Sequence, residues 1–228
     1  LDLIKKHLKE NQLLVLESTS YPGTTDEELV PFINNIYSNS NNKNSKFKIG
    51  KNFFVGYSPE REDPGNKNYS IKTIPKIVSG VSKNCLFFTE LLYRQIVDKT
   101  VPVSSTKVAE MTKLIENTQR SVNVGLINEM KIVCIELGVD IFEVVKAAAT
   151  KPFGFSAYYP GPGLGGHCIP IDPFYLSWKA NKHGIKTEFI KLAADVNSKM
   201  PDYIVDRTEN ILKDLGRNIN ESKILVLG

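Results

Sequence analysis

Along the first hundred residues the apolar positions come in short runs, each closed by turn or charged residues. Leu13-Leu14-Val15-Leu16-Glu17, Phe53–Tyr57, Ile77–Gly80 and Val101–Val103 are too short for helices and too continuous for half-exposed strands. That is the pattern of strands buried in a mostly parallel sheet. Helical stretches are expected between them at 26–37 and 82–93, and residues 1–10 read as the end of a helix. Strand alternating with helix predicts an α/β fold with a doubly wound sheet. From Ser104 the period changes. Ser104-Ser105-Thr106 offers N-caps. Val108, Met111, Leu114, Ile115, Val122, Leu126, Ile127, Met130, Val133 and Leu137 then recur at helical spacing as far as Gly138. A helix over 104–137 is long for a globular domain and predicts an element shared between domains or subunits. Further helices are expected at 140–150, 172–184 and 188–199, with another begun by Pro201 and ending at Leu215. Lys223–Gly228 reads as a buried strand that stops at a glycine turn.

These patterns divide the chain into a sheet-forming segment (1–103), a helical segment (104–200) and a connecting helix with one strand (201–228). The first segment contains no Gly-x-Gly-x-x-Gly, so a dinucleotide-binding sheet here would be the second half of one. Composition changes little in this picture. With 228 residues, 41% apolar and 24% charged, the chain resembles a soluble globular protein with one sizeable core or two modest ones. The longest apolar runs, such as Ile132-Val133-Cys134-Ile135, fall far short of a bilayer span. The net charge of +4 is scattered, which suits an anionic ligand and argues against nucleic acid. Three cysteines without metal-like spacing, and no basic-then-apolar leader at the start, predict a reduced, cytoplasmic protein with no bound metal. Cys85 and Cys134 lie in apolar helical runs and read as small buried hydrophobes. Residues 38–45, Ser-Asn-Ser-Asn-Asn-Lys-Asn-Ser, read as a polar loop without function.

One stretch departs from ordinary loop chemistry. Tyr159-Pro160-Gly161-Pro162-Gly163-Leu164-Gly165-Gly166-His167-Cys168-Ile169-Pro170-Ile171-Asp172-Pro173 concentrates glycines that let a backbone approach a ligand closely. Prolines stiffen it on both sides, a thiol follows, and an aspartate stands four residues later. It reads as a cradle holding Cys168 against a bound substrate. His167 is adjacent to Cys168, and neighbouring side chains in a loop point apart, so it reads as a spacer rather than a base.

Gly-x-Gly-x-Gly-Gly-x-Cys-x-Pro-x-Asp resembles the catalytic-cysteine motif of the UDP-glucose/GDP-mannose dehydrogenase family. The flanks Lys151–Phe155 and Pro173–Ala180 look like that family's UDP-N-acetylhexosamine branch. Lys113-Leu114-Ile115-Glu116-Asn117, preceded by Glu110, matches its Ala/Glu-x-x-Lys-Leu-x-x-Asn helix, and Asn128-Glu129 and Asn197–Pro201 match further elements. By spacing alone, Lys113 and Asn117 share one helix face, which is ordinary for solvated residues. Ser58-Pro59-Glu60-Arg61-Glu62-Asp63-Pro64-Gly65 resembles the branch's Ser-Pro-Glu-Arg-x-x-Pro-Gly. The glucose branch has a second glutamate four residues after the first, and here that position is Pro64. Glu62 and Asp63 are the nearest carboxylates, so the hydrolytic acid/base stays open. Ile171 stands where many relatives carry a cofactor-contacting lysine.

The resemblance implies an NAD-dependent oxidation of a UDP-sugar C6 hydroxyl to the acid, by way of a thiohemiacetal and a thioester on Cys168. Lys113 and Asn117 would steady the developing oxyanion, and Asp172 would tune the thiol. Glu60 or Thr19 would position the hydrolytic water. Thr19, Ser18 and Glu62 are the expected cofactor contacts. Glu60, Arg61, Lys113, Asn117, Tyr159, Gly161, Gly163 and Gly165 are the expected substrate contacts. It further implies a Rossmann-type half followed by a helical central domain, an N-terminal glycine-rich half and a C-terminal UDP-binding domain beyond the two ends, and a homodimer through the long helix. UDP-N-acetylglucosamine is the expected sugar. UDP-N-acetylmannosamine, UDP-glucose and a non-catalytic dimerisation core remain the alternatives.

Overall fold

The computed structural model describes residues 1–38, 47–62, 68–166 and 168–227, and of Tyr37, Ser38 and Cys168 only the backbone. Asp63, Pro64, His167 and residues 39–45 of the polar loop lie outside the described residues. The chain forms two compact units, residues 1–117 with 175–184, and residues 118–174 with 185–228.

The first unit carries the sheet. Its elements are α1 (Asp2–Lys5), β1 (Gln12–Leu16), a π-helical turn (Thr25–Leu29) running into α2 (Val30–Ser38), β2 (Phe53–Tyr57), β3 (Lys76–Gly80), α3 (Lys83–Tyr93) and β4 (Thr100–Pro102), then the first part of α4 (Thr106–Glu136). The four strands lie in sequence order. β1 runs parallel to β2, and β3 parallel to β4, as a doubly wound α/β sheet requires. β2 and β3 are antiparallel, a departure from the expected winding. A parallel return needs a crossover element, and the described residues between these strands form no helix. The N-terminal helix is shorter than expected, a single turn. The turn before α2 is wide because Pro31 has no N–H to give the Glu27 carbonyl. There the Val30 N–H bonds back to Thr25. Phe53, Val55 and Tyr57 on β2, with Ile33 of α2 and Val78 of β3, are fully buried. Each contributes about 1.5–3 kcal/mol by leaving water. Ser82 caps α3, accepting from the Cys85 N–H at 3.2 Å. Cys85 is buried as expected; Cys134 is only half-buried.

The second unit is helical. It contains the remainder of α4, α5 (Ile141–Ala148), the first turns of α6 (Cys168–Asn181), and α7 (Glu188–Asp214). Asp140 caps α5, accepting from the Phe142 N–H at 2.9 Å. Two boundaries differ from expectation. Helix α6 starts at Cys168 rather than Asp172, because Pro170 falls in the first turn, where no N–H is required. Helix α7 does not end near Lys199; it continues through Pro201. Only the Asn197 carbonyl forgoes its donor there, and Asn197 and Met200 beside the proline are buried. The expected strand at the end of the chain is not formed. Residues 222–227 have no regular secondary structure, 223–227 are exposed, and none has a strand pairing partner among the described residues; an unpaired segment has no ladder to hold it as a strand. Among the described residues, no helix is long and apolar enough to cross a membrane.

Candidate active site

In the first unit, four elements converge on one end of the sheet. Glu17 follows β1, Glu60 follows β2, Lys76 opens β3 and Tyr93 closes α3. Because β3 runs antiparallel, its first residue lies beside the carboxyl ends of β1 and β2, the edge where open α/β sheets bind ligands. The Lys76 ammonium donates to Glu60 Oε2 at 3.0 Å and Glu17 Oε1 at 3.3 Å. It also stands 5.1 Å from the centre of the Tyr93 ring, and the Tyr93 hydroxyl donates to Glu17 Oε1 at 2.6 Å. Lys76 is buried at 7% exposure, whereas the Glu17 and Glu60 side chains are 51% exposed. A buried cation therefore holds two carboxylates at the surface. Burial pushes the Glu60 carboxyl up, but Lys76, the Arg61 N–H and Lys113 together hold it below its ordinary range. Burial, with the Glu17 carboxylate, pushes the Tyr93 hydroxyl well up.

Arg61 binds Glu116 of α4 at 2.7 Å and the Pro75 carbonyl at 2.9 Å. The structure thus brings Glu60, Arg61 and Lys113 to one end of the sheet, with Asn117 beside Glu116 on α4. Asn117 is buried and Lys113 partly so. Glu62 is exposed. Sequence reasoning missed Glu17, Lys76 and Tyr93; a lysine opening the buried strand Lys76-Ile77-Val78 was the available signal.

Glu110 was noted only as part of a helix motif, yet it is fully buried. It accepts from the Gly23 N–H at 2.5 Å, the Thr25 N–H at 2.9 Å and the Thr25 hydroxyl at 2.6 Å. Burial raises its pKa despite these three donors. The effect is to tie α4 to the segment leaving β1. Ser18 is exposed and Thr19 half-buried in that segment, and the Ser20 hydroxyl is buried with no hydrogen-bond partner among the described residues.

The second unit holds the glycine loop and Cys168. The Gly161 N–H donates to Asn128 Oδ1 at 2.9 Å, Asn128 Nδ2 to Asn197 Oδ1 at 2.9 Å, and Asn197 Nδ2 to the Ser121 carbonyl at 3.1 Å. Gly163 has φ +116°, and a Cβ there would stand 2.8 Å from the Asn197 carbonyl oxygen. A Cβ at Gly165 would meet nothing within 4 Å. Tyr159 is exposed and its ring stacks near Phe142, with centroids 6.3 Å apart. Asp172 is buried one turn into α6 from Cys168.

Comparison with known proteins gives a consistent result. Residues 1–97 match the UDP-glucose/GDP-mannose dehydrogenase family's NAD binding domain, and residues 107–199 match the same family's central domain. A UDP-N-acetyl-D-glucosamine 6-dehydrogenase from Pseudomonas aeruginosa is 38% identical over 226 residues, covering 99% of this chain and 51% of its own length. Protein CapL from Staphylococcus aureus is 41% identical over 231 residues, covering 100% and 51%. The solved structure of a UDP-D-ManNAc dehydrogenase from Pyrococcus horikoshii superposes with a TM-score of 0.83 at 30% identity, over 95% of this chain and 49% of that one. The chain spans about half the length of the curated relatives it matches.

Proposed function

Because the chain belongs to the UDP-glucose/GDP-mannose dehydrogenase family, we propose that the protein oxidises the C6 hydroxyl of a UDP-N-acetylhexosamine to the carboxylic acid. The observation that carries this reading is the glycine loop ending in Cys168 at the first residue of α6. The unsatisfied N–H groups of a helix's first turn favour an anionic sulfur there. UDP-N-acetylglucosamine is the sugar of choice, from the likeness to the Pseudomonas dehydrogenase. The likeness to the Pyrococcus structure favours UDP-N-acetylmannosamine as the second reading.

The end of the sheet suits a dinucleotide. A buried, unpartnered hydroxyl (Ser20) lies where the chain leaves β1, beside the accessible Ser18 and Thr19. Ser18 and Thr19 would hold NAD, which would supply the hydride acceptor for each of the two two-electron oxidations, one NAD for each. The Cys168 sulfur adds to the C6 aldehyde and its proton moves to the carbonyl oxygen, which holds the aldehyde as a thiohemiacetal. After a second two-electron oxidation the resulting thioester yields to water, releasing acid and thiol. Lys113 and Asn117 steady the oxyanion at each stage. Asp172, buried one turn along the same helix, tunes the thiol. Glu60, fixed by Lys76, orients water; its depressed pKa suits an ionised acceptor. The partner expected besides the sugar is a second copy of the chain, met through the long helix.

The test uses the full-length protein with UDP-N-acetylglucosamine. About two NADH per sugar consumed, with Cys168→Ser stalled, is the expected result for a covalent two-step oxidation. One NADH with free aldehyde would remove Cys168 from the mechanism. Turnover of UDP-N-acetylmannosamine alone would correct the sugar and leave the chemistry standing.

A further inference from the structure

Among the described residues, the glycine loop is anchored by a file of three hydrogen bonds crossing the second unit, from the Gly161 N–H through Asn128 and Asn197 to the Ser121 carbonyl. Both asparagines are buried, Asn128 completely. Buried amides are costly unless paired, and each carboxamide here uses its oxygen and its nitrogen. Nothing in α4–α7 packing alone asks for two amides at this position, since apolar residues would fill the space without desolvation cost. What they add is an acceptor aimed at a single loop N–H. Gly161 lies between Pro160 and Pro162, so it supplies the only backbone donor over those three residues.

A second contact acts in the same direction. Pro201 leaves the Asn197 carbonyl without its helical donor, and Gly163 lies against that carbonyl so closely that a Cβ would come within 2.8 Å. One residue, Asn197, thus meets the loop twice, by its side chain through Asn128 and by its backbone at Gly163. On the same stretch, α4 and α7 approach at Gly125, where a Cβ would stand 3.3 Å from the Ala193 Cα. The close approach brings the two amides into hydrogen-bonding range.

We propose that Asn128 and Asn197 are positioning residues that set the conformation of the 161–166 loop for sugar-nucleotide binding, acting through Gly161 and Gly163. The proposal rests on the functional reading above. It assigns a role to two helix residues that make no contact with the reacting atoms.

The test is a double-mutant cycle in the full-length enzyme. Asn128→Ala removes the acceptor, and Gly161→Pro removes the donor without touching either helix; Gly161 has no left-handed φ that proline would clash with. Each single variant should raise KM for the UDP-sugar about tenfold with kcat less affected, the worth of one buried hydrogen bond. The double variant should fall well short of the product of the singles and stay near the Asn128→Ala value, because both changes delete the Gly161–Asn128 hydrogen bond and only Asn128→Ala also deletes the link to Asn197. Multiplication to about a hundredfold would overturn the proposal, since Asn128 would then act through helix packing alone. So would an unchanged KM in both singles.

Should Asn128→Ala not fold, amide hydrogen exchange on the unmutated protein decides. Gly161 should exchange as slowly as the buried turns of α4. Exchange at the rate of an open loop would overturn the tether. This measurement needs no sugar, so a protected Gly161 in a protein that oxidises none of the candidate sugars would uphold the tether and sink the substrate reading alone.

Discussion

Lys76 has two carboxylate partners, and that makes its contribution separable. Glu60 is held below the ordinary value of 4.5, so its ionisation favours the folded state. That stabilisation is full above about pH 4.5 and is lost as the pH falls through the lower folded value. Glu110 works the other way. Its folded pKa is raised by burial, so its contribution is full below pH 4.5 and declines as the pH rises through the folded value. A single acid titration of the protein would blend the two. A comparison with Lys76→Met isolates the first, because Glu110 is unchanged in both proteins. Urea unfolding should show the variant less stable at pH 7, with the difference narrowing as the pH falls below 4.5. A difference that stayed constant across that range would mean Lys76 matters through packing and not charge. Of this cluster only Glu60 was singled out from the sequence, through its Ser-Pro-Glu-Arg motif. Positions 17, 60, 76 and 93 lie on or just beyond four different elements, and only the antiparallel direction of β3 brings Lys76 to the ligand edge. Helical spacing, which is local, placed Lys113 and Asn117 on one face, but it was the resemblance to a family motif that singled them out.

At the scale of elements, periodic apolar residues located α4 to within two residues at its start and one at its end, and apolar runs located the four sheet strands to within one, while the run at 223–228 formed no strand. Such signals succeed where a buried face repeats over many residues. Proline misled the reading at Pro201, where a rule about one missing N–H was applied to a helix already anchored by buried Ile190, Ala193, Asn197 and Met200. The glycines are a mixed case. All of those in the loop carry the same letter, yet only some positions demand it. Gly163→Ala should destabilise the full-length protein by about 1–3 kcal/mol, through the left-handed φ and the encounter with the Asn197 carbonyl. Gly165→Ala, with open space around its Cβ and no left-handed φ, should stay within about 0.5 kcal/mol. Thermal unfolding of the pair checks both. Equal losses would mean that the loop as a whole, and not its seat on α7, needs glycine.

The whole molecule raises the question of what covers the long helices. Within the second unit, Val122, Gly125, Leu126, Glu129, Phe189 and Leu192 line an apolar groove between α4 and α7. Leu126 is 55% exposed, Phe189 77% and Leu192 58%, a concentration that isolated proteins seldom leave in water. The two-fold pairing proposed through α4 would cover it, provided the contact buries on the order of 800 Å² per partner, as stable interfaces do. Because a two-fold contact presents the same patch from both sides, one charge introduced there appears twice. Leu192→Glu in the full-length protein should therefore shift its sedimentation from dimer to monomer, while Leu3→Glu, at an exposed position on α1 in the first unit, should leave the dimer intact. A full-length protein that sediments as a monomer before any substitution would assign the groove to further chain of the same molecule. The relatives, about twice as long as this chain, make that the alternative to exclude.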